Sequence, residues 1–164
     1  MSTLTYPTFL RGASLKLAAG IDPVELGLEG WQITDRSLVL GRGRNCFEQA
    51  SQRLFDWRAH AHAGVKVQRS GQVVELKFGP TLSPCLILVE ERGAEQSLLM
   101  YGTLPGHVEN GEEAFLITLE PSGEVRARCV AFSKPAWFWA RLGKPVARVV
   151  QLAVTDAYLR GMRS

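Results

Sequence analysis

Apolar residues recur along this chain with two different periods, and the change of period divides it. Phe47, Ala50, Leu54, Trp57 and Ala61 follow helical spacing, with Glu48, Gln52, Arg53 and Asp56 off that stripe. Asn45 with Glu48 three residues later resembles a capping box, so the spacing predicts a helix from there to about residue 60, ending before Gly64. Period two then takes over. Phe115, Ile117 and Leu119 share one face of a segment, as do Val125, Ala127, Cys129 and Ala131 in the next. The pattern predicts strands at Ser37–Gly41, Gly64–Arg69, Val73–Phe78, Cys85–Glu91, Gln96–Thr103, Glu112–Glu120 and Val125–Phe132. Ser70-Gly71, Gly79-Pro80, Arg92-Gly93 and Pro121-Ser122-Gly123 punctuate them as hairpin turns.

Helical spacing returns at the end. A helix is expected to start at Ser133 or Lys134 with Pro135 in its first turn, and to break or kink at Gly143-Lys144-Pro145. Its second piece, Pro145 to Arg160, would be about 24 Å long. Val146, Val149, Val150, Ala153, Val154 and Ala157 form a wide apolar stripe there, with Arg148, Gln151, Thr155 and Arg160 off it. Residues 1–35 carry Pro7, Gly12, Gly20, Pro23, Gly27 and Gly30, and read as loop with short extended pieces. Strand, helix, antiparallel meander and long terminal helix make an α+β domain spanning 1–164. Its simplest packing is a curved antiparallel sheet of six or seven strands wrapped around the C-terminal helix. Such a pairing often leaves a cavity between helix and sheet.

Composition adds limits. The 164 residues are 46% hydrophobic and 21% charged, ordinary for one globular domain. No apolar run, Cys85 to Val89 included, exceeds five residues, far short of the roughly 20 residues of a membrane span, and no signal peptide is read at the N-terminus. Cys46, Cys85 and Cys129 are widely spaced and form no CxxC pair, which points to buried thiols in a reducing cytoplasm, with no metal site. The net charge of +3 is too small for a nucleic-acid binder, but it is uneven: from Arg126 onward eight Lys or Arg face one acid, Asp156. These bases either pair with acidic residues of the sheet or present a basic face to an anion or a membrane surface.

The densest chemistry lies in Tyr101-Gly102-Thr103-Leu104-Pro105-Gly106-His107-Val108-Glu109-Asn110-Gly111-Glu112-Glu113. Leu104 to Gly111 should form a connecting loop, where functional groups often sit. His107 is a candidate general base with Glu109 or Glu112 as its orienter, or it bonds to backbone while the glutamates are solvated. His60-Ala61-His62 has ligand-like spacing, but two such rings share a face only on a strand. A solvated helix terminus accounts for them. Gly41-Arg42-Gly43 lacks the βαβ setting of a dinucleotide loop, and no P-loop or nucleophile elbow is present. Trp137, Phe138 and Trp139 stand near Arg141, Lys144 and Arg148. They suit a helix packed on both sides, or a weak membrane-surface or partner contact.

These residues also resemble a known set. Leu40-Gly41-Arg42-Gly43 through Phe47 and Trp57, the Tyr101 to His107 motif with Gly111-Glu112-Glu113-Ala114-Phe115, and Ala131-Phe132-Ser133-Lys134-Pro135 with Arg141-Leu142-Gly143, Pro145-Val146, Gln151 and Tyr158-Leu159 are similar to uncharacterised protein family 0548 of bacteria and plants. The resemblance covers roughly residues 36–162. It implies the helix-grip arrangement of START-like and Bet v 1-like domains, whose sheet and long helix enclose lipids or other apolar molecules. It implies no activity.

The combined expectation is a cytoplasmic protein, with no cofactor, that binds a small apolar or amphipathic, lipid-like ligand. Tyr101, His107 and Arg128 would be polar anchors, and Leu99, Phe115, Ile117, Val149 and Ala153 the apolar lining. Such a pocket requires a cavity of roughly 300 Å³ or more. The alternatives are a hydrolase- or cyclase-type enzyme using the Tyr101–Glu113 segment, and a membrane or interaction module using Trp139, Arg141, Lys144 and Arg148.

Overall fold

The computed structural model describes residues 3–136 and 144–163. Seven strands form one sheet: β1 (Gln32–Arg42), β2 (Lys66–Ser70), β3 (Val73–Phe78), β4 (Thr81–Arg92), β5 (Gln96–Thr103), β6 (Glu109–Leu119) and β7 (Glu124–Pro135). Their spatial order is β1-β7-β6-β5-β4-β3-β2, and every neighbouring pair is antiparallel. β2 to β7 therefore form a six-stranded meander in chain order, as the alternating pattern predicts, and β1 closes onto β7. The ladder slips between Val39 and Gly41 and between Ile87 and Val89, and such irregularities bend a sheet.

Strict alternation gives the sheet two apolar faces. On the concave face Leu99, Tyr101, Phe115, Ile117, Ala127 and Cys129 pack with Phe47, Ala50 and Leu54 of α2 (Arg44–Phe55), Ala59 of α3 (Arg58–His62), and Tyr158, Leu159 and Met162 at the end of α4 (Lys144–Gly161). Each fully buried large side chain in this cluster contributes about 1.5–3 kcal/mol. On the convex face Val130 and Phe132 pack with Tyr6, Leu10, Ala13, Leu17 and Leu28 from the N-terminal segment.

That segment departs from expectation. It contains a 3-10 turn at Thr8–Leu10 and a helix, α1, at Ala13–Ala18. Leu10, Ala13, Ser14 and Leu17 have the i, i+3, i+4, i+7 spacing that marks a helix, and all four are buried. The first long helix is also interrupted. It begins at Gly43 with no side-chain cap, so Asn45 and Glu48 form no capping box. It stops at Trp57, which sits in the left-handed region at φ 61° before α3 begins.

The terminal helix begins later than Ser133 or Lys134, because β7 runs on through Pro135. Trp137, Phe138, Trp139, Arg141 and Gly143 lie outside the described residues, as does the side chain of Lys144. α4 is also rotated from the face its valines suggest. Val146, Val149 and Ala153 are exposed, while Ala147, Thr155 and Tyr158 are buried. Polar pairing decides this. Arg148 donates to Thr34 Oγ1 (2.7 Å), Gln151 Oε1 (2.8 Å) and the Ile33 carbonyl (2.8 Å). Gln151 in turn donates to Glu109 Oε2 (2.9 Å) and Ser133 Oγ (3.0 Å). Facing these groups outward would strand their partners on the sheet.

Candidate functional site

A cavity of about 140 Å³ lies between the end of the sheet where β5 leaves and β6 enters, and the inner face of α4. Val65, Leu76, Val108, Val150 and Val154 give it apolar walls, and Tyr101, His107, Glu109, Glu113, Gln151 and Tyr158 give it polar ones. It is less than half of the roughly 300 Å³ expected for a pocket that swallows a larger ligand.

The chemistry comes from strand register. Tyr101 on β5 stands directly opposite Glu113 on β6, both on the concave face, and the Tyr101 hydroxyl donates to Glu113 Oε1 at 2.8 Å. His60 of α3 reaches the same hydroxyl from below, with Nε2 at 2.9 Å. Because the hydroxyl hydrogen goes to Glu113, His60 must supply the hydrogen in its own bond, which places the imidazole proton on Nε2. His60 Nδ1 is then a buried lone pair with no partner among the described residues. Burial pulls His60 down to about 3, so the ring is neutral. Burial first, and Glu113 second, push Tyr101 well up. Trp57, whose left-handed backbone ends α2, sets its ring 4.8 Å from His60 and stacks near Tyr101 at 6.4 Å.

Glu113 lies deep in the fold with one edge on the cavity. Desolvation raises its carboxyl above the usual range, against the Tyr101 and Cys129 hydrogen bonds that lower it. Glu109, four residues earlier on the same face of β6, is raised to about 7, chiefly by burial and then by Glu113. Tyr158 of α4 is 6% exposed, lines the cavity and makes no hydrogen bond among the described residues. His107 accepts the Glu109 backbone N–H at Nδ1 (2.9 Å), and burial draws it down to about 4.

Tyr101 and His107 thus both line the cavity. His107 is held by backbone and makes no side-chain bond to Glu109 or Glu112 among the described residues, so the general-base pairing expected of it is absent there. Leu99, Phe115 and Ile117 are fully buried beneath the cavity as core, outside its lining. Val149 and Ala153 face solvent on the far side of α4. Arg128 is away from the site on the convex face, where it clamps Asp35 (2.9 and 2.7 Å) and the Ala18 carbonyl (2.9 Å). His60, expected at a solvated helix end, is completely buried, because the break at Trp57 turns α3 inward. Glu113 closes the Tyr101–Glu113 segment, whereas Tyr158 and Gln151 are cavity residues that spacing alone did not single out. Of the bases from Arg126 onward, Arg126 pairs with Glu120 and Glu124 and Arg128 with Asp35, while the acid Asp156 pairs with Arg36. No three His, Cys, Asp or Glu side chains among the described residues converge to hold a metal ion.

A curved antiparallel sheet closed by a C-terminal helix, with a small cavity between them, is the helix-grip fold. The likeness is direct: Thalictrum flavum norcoclaurine synthase superposes with a TM-score of 0.50 over 80% of this chain and 94% of that one, at 8% identity. The di-domain ARO/CYC StfQ of the steffimycin biosynthetic pathway gives 0.57 over 98% of this chain and 60% of its own, at 12% identity. These are likenesses of fold. The chain belongs to the family described as Domain of unknown function (DUF1990), which matches residues 18–161. The match begins in α1, earlier than the sequence motifs. A UPF0548 protein of Deinococcus radiodurans is 31% identical over 153 residues, covering 79% of this chain and 76% of that one. No helix among the described residues is long and apolar enough to cross a membrane.

Proposed function

We propose that this protein binds a small amphipathic molecule in the cavity under α4, with an apolar body against Leu76, Val150 and Val154 and a polar head at Glu113, Tyr101 and Glu109. The supporting observation is the cavity itself, apolar on one side and edged by carboxyl and phenol groups on the other. Its size narrows the ligand. A cavity of about 150 Å³ accepts benzene, so about 140 Å³ suits one ring or a short branched chain and is too small for a fatty acyl chain. Norcoclaurine synthase, of the same fold, is described in complex with a transition-state analogue, which supports small-molecule binding by such an enclosure.

Thermal unfolding with a panel of single-ring amphiphiles tests the proposal. A ligand of the native state raises Tm in a concentration-dependent way. Val154→Phe, which fills the space, should abolish the rise. The proposal fails if no compound shifts the wild type, or if the filled variant responds equally.

Enzymatic turnover is the second reading. It is favoured by the hydrogen-bonded line from His60 through Tyr101 to Glu113, which ends at the cavity beside the raised carboxyl of Glu109. Chemical change of any bound panel compound, followed by mass spectrometry and lost in Glu113→Gln, would separate turnover from binding.

A further inference from the structure

We infer that His60 is a positioning residue that acts through Tyr101 to make the cavity floor a hydrogen-bond acceptor, so that the guest's head is a neutral hydroxyl donating to Glu113. This rests on the binding proposal above and adds the direction of the hydrogen bond that the guest must make.

Two costly features meet behind Tyr101. Among the described residues, Trp57 is the one side chain other than glycine in the left-handed region, at φ 61°. A bulky residue is strained there, and such strain gathers where a fold positions something. His60 Nδ1 is the one buried side-chain nitrogen or oxygen without a partner among the described residues. The rings of these two residues lie 4.8 Å apart, and Tyr158 and Phe115 flank the imidazole at 4.6 and 5.4 Å. A phenylalanine would pack in this aromatic box without an orphaned nitrogen, so packing alone does not account for an imidazole. What the imidazole supplies is the 2.9 Å bond from Nε2 to the Tyr101 hydroxyl.

That bond sets a direction. A phenol has a single hydrogen to give. His60 Nε2–H points at the Tyr101 oxygen, and the Tyr101 hydrogen goes to Glu113 Oε1 at 2.8 Å. Each bond in such a line polarises the next. Tyr101 therefore keeps no hydrogen for a guest. Glu113 receives hydrogen bonds from Tyr101 and the Cys129 thiol, both of which favour its ionised form, and it borders the cavity. An ionised carboxylate only accepts. Tyr158 on the cavity wall turns to give or to take, so the choice between guests falls to Glu113. A head that donates fits this floor, and a head that only accepts sets lone pair against lone pair. A neutral hydroxyl donates without carrying a second charge out of water.

Isothermal titration of the full chain at pH 8 with phenol, fluorobenzene and benzaldehyde is the test. Phenol carries a donor, fluorobenzene neither a donor nor a strong acceptor, and benzaldehyde an acceptor alone. Phenol should bind roughly tenfold more tightly than the other two, the factor for one hydrogen bond to a charged group. His60→Phe keeps a ring and removes both nitrogens. It frees the Tyr101 hydrogen to turn toward a guest and should bring phenol and benzaldehyde within about threefold of each other. His60→Gln, whose amide N–H stands in for Nε2–H, should restore the preference. Nitrogen-15 NMR of the imidazole, which needs no guest, should place the His60 hydrogen on Nε2. Equal wild-type affinity for phenol and benzaldehyde, a ratio unchanged in His60→Phe or lost equally in both variants, or a hydrogen on Nδ1 overturns this inference and leaves the cavity proposal standing. Absence of binding by all three probes overturns both.

Discussion

On the convex face of β6 the carboxylate of Glu112 takes donors from Tyr6 Oη (2.6 Å), the Gly12 amide (2.8 Å), the Ser14 amide (3.0 Å) and the Ser14 hydroxyl. One residue further along, on the concave face, Glu113 has one hydroxyl donor, Tyr101, and an edge on the cavity. Glu112 is 3% exposed, and every polar group around it serves to tie the N-terminal segment to the sheet. Gly102, beside it on β5, has no room for a Cβ against the Tyr6 phenol, so even the neighbouring backbone is shaped to this lock. The same residue type at adjacent positions therefore does two different things. A carboxylate surrounded by donors is structure. A carboxyl left short of them, with an orphaned imidazole nitrogen one hydroxyl away, is where a fold keeps capacity for something else.

The largest test of that contrast is Glu112→Ala. It leaves the Tyr6 hydroxyl and the Gly12 and Ser14 donors without their acceptor, at roughly 1–3 kcal/mol for each buried group that stays unsatisfied and about 3–5 kcal/mol together. Urea unfolding should show that loss. Limited trypsin digestion should show faster cleavage at Arg11 and Lys16, which ride on the released segment. Stability within about 1 kcal/mol of wild type would mean that the convex network is ornamental.

On the concave side, Glu109 makes stability depend on pH. Its folded value of about 7 lies above its ordinary 4.5, so the folded chain holds the proton more tightly than the unfolded one. The stabilisation is full below about 4.5, falls as pH rises toward 7, and is gone above that, at most about 3 kcal/mol in all. His60 and His107 act in the opposite sense. Their depressed values withdraw stability as pH falls below about 6.5. The quantity to measure is therefore the difference between wild type and Glu109→Gln across pH 4–8. It should change over that window in favour of the variant as pH rises. Parallel curves would show that Glu109 titrates as it does in the unfolded chain.

Tyr101→Phe comes next in size. It removes one hydroxyl that serves two partners, so the His60 Nε2–H and Glu113 both lose a bond, at about 1–3 kcal/mol. The ring and its packing stay. A loss under about 0.5 kcal/mol in urea unfolding would show that the hydroxyl is not what joins α3 to the sheet.

How much of this was legible depended on how local its cause is. β3 and β5 have the bounds that alternation predicts, because a half-buried strand writes its pleat directly into the residue order. α1 was missed although Leu10, Ala13, Ser14 and Leu17 carry its period. Six residues between Gly12 and Gly20 offer too short a stripe to outweigh the punctuation. α4 was recognised as a helix but turned the wrong way. Its valines share a stripe, but the choice of face is made by Arg148 and Gln151, whose partners Thr34, Glu109 and Ser133 sit on three strands. Tyr101 and His107 stood out as site residues by their unusual neighbourhood. His60 and Tyr158 did not, since nothing in their own surroundings says that a break at Trp57 and the docking of α4 bring them to Tyr101 and the cavity. Volume is least legible of all, because about 140 Å³ is what remains after every other side chain is placed.

Glu113→Gln has the smallest expected effect and bears most directly on the contrast. The amide oxygen still accepts from Tyr101, and the cost of keeping a desolvated charge disappears. In acid, where the carboxyl is protonated, glutamate and glutamine are near equals and stability should agree within about 1 kcal/mol. As pH rises through the raised value, the wild type must ionise Glu113 in a poor environment and loses stability that the variant keeps. At pH 8 the variant should therefore be as stable as the wild type or more so. Glu112→Gln, by contrast, breaks a charge-assisted network of four donors and should destabilise at both pH values. If the two glutamine variants lose the same stability at pH 8, Glu113 is a second structural lock, and the concave carboxyls have no spare capacity for a guest.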